Sequence, residues 1–188
     1  MNRRLLIALP GLFLAAPVLA HTGHAEGGGL LTGLFHPLAG TDHLLAMVAV
    51  GLWAARMGGR ALWALPLTFV AVMMGGAALA MAGVAVPVIE PGIAASVILL
   101  GLAVAMGAGA SLGVAVVAVG TFALWHGAAH GYEIPATAAP ALYAAGFAGA
   151  TAMLHAAGLG LGVTLKTAWL RAAGGAIALA GAVQLLAA

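Results

Sequence analysis

The chain has 188 residues, 64% of them hydrophobic and 5% charged, with a mean hydropathy of +1.18. A soluble domain carries roughly 25% charged residues, so water cannot solvate this surface and lipid must be the solvent for most of the chain. The net charge of +2 comes from six scattered basic residues that form no stripe, which excludes nucleic acid as a partner, and the absence of cysteine excludes disulfides, thiolate metal sites and cysteine nucleophiles.

Residues 1–20 read as a secretory signal peptide. Arg3 and Arg4 form a positive start, Leu5 to Ala16 a short apolar core, and Val18-Leu19-Ala20 supplies small residues for cleavage after Ala20. Residues 21–188 then form one transmembrane domain whose exported tail opens with His21 and His24. Glycine, proline and charge divide it into six spans, at 35–56, 61–84, 91–108, 112–132, 139–163 and 167–187. Each is near the ~20 residues that cross the hydrocarbon core. The links are short, so sequential spans are expected to be antiparallel neighbours. The expected fold is an all-α integral membrane protein with both mature termini in the periplasm.

The basic residues support that orientation. Arg56, Arg60, Lys166 and Arg171 fall on or beside the first and fifth links, while Glu26, Glu90 and Glu133 fall on the opposite side. This is the positive-inside pattern; the expected location is the inner membrane of a bacterium. Trp53, Trp63 and Trp169 adjoin the inner charges and are expected in an aromatic belt. Gly109/Gly113, Gly127/Gly131 and Gly158/Gly162 have the small-xxx-small spacing that lets helices approach, within the chain or between copies of it.

The remaining polar residues cluster. His36 stands at the outer mouth of the first span, with Pro37 suited to a first helical turn. Asp42 and His43 follow, about 10 Å deeper on a continuous helix, with His36 and His43 on one face. The fourth span runs outward and ends with His126 and His130 on one face and Glu133 a turn above. Counting from the outer ends puts His126 near the depth of Asp42 and His43. His155 lies deeper, about 24 Å along the fifth span.

A carboxylate inside a span costs several kcal/mol unless it is paired. Imidazole nitrogens with carboxylate oxygens suit nickel, cobalt and zinc alike. An ion would compensate Asp42 and recruit the histidines together. An Asp42–His43 proton relay, a helix-bonding role for His155 and a bis-histidine haem are the competing readings. Another is an intramembrane zinc hydrolase, which needs its ligands to converge on one point. Gly109-Ala110-Ser111-Leu112-Gly113 copies a nucleophile string but lacks the strand-to-helix turn that motif requires. The methionines Met47, Met73, Met74, Met81, Met106 and Met153 form no tight pairs for copper(I) and are expected to face lipid.

The stretch from His36-Pro37-Leu38-Ala39-Gly40-Thr41-Asp42-His43 to Trp53 resembles the first-helix signature of the HupE/UreJ family. Trp125 to Glu133 is similar to that family's H-G-x-A-H-G-x-E segment, with Trp125 where phenylalanine is common. Thr151 to Gly158 is similar to its T-x-x-L-H-x-x-G segment. The resemblance spans essentially the whole chain. It implies a secondary permease for nickel, not an enzyme, which supplies NiFe hydrogenase or urease and has no prosthetic group. It assigns metal-site roles to His36, Asp42, His43, His126, His130 and Glu133, with His155 an addition; in a transport reading His21 and His24 are expected to form a capture tail and His155 a further station.

Nickel comes from the resemblance, since the ligand types admit cobalt or zinc equally. Imidazole binds metal only when neutral, so uptake is expected to weaken as external pH falls below about 6.5. Ni-63 uptake across a pH series at fixed membrane potential checks this, and a flat profile would contradict it.

Overall fold

The computed structural model describes residues 29–107, 109–134 and 139–187. The expected signal peptide and the tail histidines His21 and His24 lie outside the described residues. The described residues form seven α-helices and no strand: α1 Leu30–Ala39, α2 Thr41–Met57, α3 Ala61–Met81, α4 Ile89–Met106, α5 Leu112–Glu133, α6 Pro140–Thr164 and α7 Thr167–Ala187. The last five are long and apolar enough to cross a membrane, and the bent pair α1–α2 makes a sixth candidate span. Their bounds follow the hydropathy reading closely, because glycine, proline and charge interrupt the apolar runs near the ends of both.

The first span departs from expectation. It is two helices meeting at 88°, not one continuous helix, so His36 and His43 sit on different helices and share no face. Pro37 lies inside α1 rather than in a first turn. Having no N–H, it cannot bond back to the Gly33 carbonyl, and the helix ends two residues later. Gly40 is extended at φ −91° and ψ 118° and starts α2 in a new direction. A Cβ there would lie 2.9 Å from Asp42 Oδ1 and 3.2 Å from His43 Nδ1, so any larger residue would press on the Asp42–His43 pair.

Sequential helices are not the main neighbours, contrary to expectation. α3 packs on α5, α4 on α7, and α6 on both α1 and α2, with α2 at the centre of the bundle. Small residues choose these partners. Gly127 and Gly131 lie against the backbone of Met73 and Ala77 on α3. Gly51 of α2 meets the backbone of His155 and Gly158, and Gly162 meets Ala55. Gly101 and Gly174 join α4 to α7. In lipid, association depends on such close approach, so links yield to it. A Cβ at Gly109 or Gly113 would meet nothing within 4 Å among the described residues, so neither makes such a contact there.

Side-chain bonds tie the two ends of the bundle. Arg56, at the end of α2, donates from Nη1 to the Val104 carbonyl at 2.7 Å. Its charge faces the C-terminal end of the α4 dipole, the favourable pole for a cation. At the opposite end, the Tyr132 hydroxyl donates to the Val84 carbonyl at 2.7 Å, and Gln184 Nε2 donates to Thr41 Oγ1 at 3.1 Å. Trp63 and Trp169 are exposed, but Trp53 is buried in the core and does not belong to a belt. Met47 and Met73 are likewise buried rather than lipid-facing. Both exceptions lie on faces that meet other helices, which hydropathy alone does not distinguish from lipid.

Gly51→Leu would force the α2–α6 backbones apart and should cost at least about 1–3 kcal/mol. Gly160→Leu, with open space around it, should be neutral. Thermal unfolding of the two purified variants in detergent compares them.

Candidate metal site

The break at Gly40 puts Asp42 and His43 in the first turn of α2. Asp42 Oδ1 accepts the His43 backbone N–H at 2.8 Å and stands 2.9 Å from the ring Nδ1. A carboxylate can only accept, so the ring donates through Nδ1. This leaves a lone pair on His43 Nε2, which is buried and has no hydrogen-bond partner among the described residues. An acceptor behind a histidine in this way fixes its orientation and raises its basicity toward a metal.

α5 supplies the facing side. The 3.6-residue repeat stacks His126, His130 and Glu133 along one stripe, while Gly127 and Gly131 press the neighbouring stripe onto α3. The His43 ring is edge-on to His126 at 4.7 Å and to His130 at 4.1 Å between centroids. His126 is fully buried and His130 nearly so. His130 Nε2 has no hydrogen-bond partner among the described residues.

α1 closes the cluster from the third side. His36 Nε2 is 3.1 Å from Glu133 Oε2, the same oxygen that lies 3.6 Å from His130 Nδ1. Ligand atoms of His36, His130 and Glu133 all fall within 4.8 Å of one another, a spacing that a single ion could draw together. Tyr143 and Phe147 of α6 wall this trio, with the Phe147 ring 4.0 Å from His130 and the Tyr143 ring 5.7 Å from His36. Beside His130, between Met73, Tyr143 and Phe147, lies a cavity of about 20 Å³, room for one water or one ion.

Six of the residues expected at a metal site therefore meet: His36, Asp42, His43, His126, His130 and Glu133. They form two levels, an outer His36–His130–Glu133 trio and an inner His43–His126 pair, with His130 touching both. His155 is separate. Its ring is 1% exposed, with neither nitrogen hydrogen-bonded among the described residues, and it packs 5.2 Å from Phe69. Phe69 in turn lies 5.6 Å from His126, so an aromatic ring contacts both.

Sequence reasoning missed Phe69, the Tyr143–Phe147 wall and Ser96. Aromatics in an apolar run carry no signal. Ser96 did carry one: it is the lone hydroxyl of the third span.

The fold and site define a polytopic membrane protein with an imidazole–carboxylate cluster at one end of its helix bundle. The chain belongs to the HupE/UreJ family: the family model described as HupE / UreJ protein matches residues 8–184. Protein HupE of Rhizobium leguminosarum bv. viciae is 46% identical over 181 residues, covering 92% of this chain and 93% of that relative. No solved structure is detectably similar.

If one ion draws on His36 and Glu133 together, their losses are coupled. In Ni(II) titrations of purified protein, His36→Ala, Glu133→Gln and the double variant should show an interaction of about 0.5–3 kcal/mol. Strictly additive losses would mean that the two do not share an ion.

Proposed function

We propose that this member of the HupE/UreJ family is a secondary permease that carries a divalent transition metal, nickel foremost, across the inner membrane to the cytoplasm for hydrogenase or urease maturation. The observation that carries the reading is the convergence of four histidines and two carboxylates from α1, α2 and α5 on one end of a bundle that is otherwise apolar. Borderline divalent ions are what such donors hold. The buried nitrogens of His43, His126 and His130 that lack partners would gain one in the ion.

In this reading the metal is cargo. Glu133 and His36, about one-third exposed, receive it with its first charge compensation. His130 contacts both levels and passes it to His43 and His126. Asp42 holds the His43 ring and balances charge. His155 is the next imidazole, beyond Phe69. An inside-negative potential contributes about 4.6 kcal/mol per 100 mV for a dication, which offsets part of the cost of crossing without ATP. The positive-inside bias of Arg56, Arg60, Lys166 and Arg171 supports entry from the histidine end. The zinc-hydrolase alternative has no support among the relatives, which are HupE and HupE / UreJ proteins.

His43→Ala removes an imidazole, and Asp42→Asn weakens the acceptor behind it. Each should lower Ni-63 uptake into cells by about tenfold or more at equal expression. Wild-type uptake in either variant would refute the site.

A further inference from the structure

His126 is fully buried, where every ring nitrogen has to be accounted for. Its Nε2 lies 2.9 Å from Ser96 Oγ on α4. A serine hydroxyl has one proton, and Ser96 places it 2.6 Å from the Ile93 carbonyl of its own helix. A carbonyl can only accept, and at 2.6 Å against 2.9 Å to Nε2 it is the better placed to take that proton. Toward His126 the serine oxygen is then an acceptor, and the proton between them belongs to Nε2. The opposite tautomer would cost twice: it would draw the serine proton off the Ile93 carbonyl, and bury an Nδ1–H with no acceptor among the described residues.

We infer that Ser96 is a positioning residue for the histidine cluster: its hydroxyl fixes His126 as the Nε2–H tautomer and leaves Nδ1 as the nitrogen able to bind an ion. The inference concerns the atom as well as the residue. Asp42 makes His43 donate through Nδ1 and keeps its Nε2 free. Ser96 makes the neighbouring ring, 4.7 Å away, do the reverse. Two adjacent imidazoles are thus held in opposite tautomers by two different acceptors, one charged and one neutral. A hydroxyl whose proton is already placed costs no charge burial, so the fully buried His126 receives the serine and the half-exposed mouth of α2 the carboxylate.

The consequence for metal affinity rests on the permease reading, whereas the tautomer does not. Nitrogen-15 NMR of the full-length, metal-free protein in detergent, with the His126 signals assigned by comparison with His126→Gln, should find Nε2 protonated and Nδ1 bare. The reverse pattern would overturn the inference. In Ser96→Ala, His126 should lose its single tautomer, and Co(II), titrated alone, should bind about 10–100-fold more weakly. A variant that keeps both the wild-type tautomer and the wild-type Co(II) affinity would also overturn it. If wild-type protein binds no Co(II) or Ni(II), the permease reading fails, and the nitrogen spectrum still decides the role of Ser96.

Discussion

In hydrocarbon a helix gains nothing by hiding a leucine from its surroundings, so helices hold together where their backbones can approach. In α5 this constraint and the chemistry share the same two turns. His126 is followed by Gly127 and His130 by Gly131, and both glycines lie on the backbone of α3. One stripe of α5 is fastened by having no side chains while the adjacent stripe carries imidazoles. The rings therefore stand on a helix that cannot rotate without a clash against Met73 or Ala77. The placement of these rings is a product of glycine packing.

The same constraint explains what the sequence made legible. Span boundaries depend on where charge and proline interrupt apolar runs, and α3 to α7 fall where those interruptions lie. Pairing depends on which small residues face one another, and spacing within one helix does not reveal the partner. Gly127 and Gly131 were visible as a pair; that they would meet α3, and Gly158 and Gly162 meet α2, was not. Link length pointed to sequential neighbours and was overruled.

The site was more legible than the fold around it, for a chemical reason. Polar groups are rare in this chain, so His36, Asp42, His43, His126, His130 and Glu133 stood out by type and spacing. Matched depth on the first and fourth spans foretold the meeting of His43 and His126. The right angle at Gly40 was harder to see. Pro37 read equally well as the start of a helix, and the apolar run Leu30-Leu31 before it was left outside the span. The acidic residue in the first turn of α2 was the signal for a second start.

That right angle changes the proportions of the molecule. α1, about 15 Å long, lies across the direction of α2 and adds breadth rather than depth. α2 alone, about 25 Å long, has to cover most of a hydrocarbon core of roughly 30 Å. Asp42 and His43 are its second and third residues, so the cluster sits at the brim. Below them α2 carries no charged side chain until Arg56, about 20 Å farther on. Among the described residues, the one further buried imidazole is His155 of α6, whose backbone lies beside Gly51 and whose ring packs on Phe69. In the proposed direction of transport, the way in is short and furnished with donors, and the way out is long and mostly apolar. On the permease reading, the resistance to passage lies almost entirely beyond the histidine cluster.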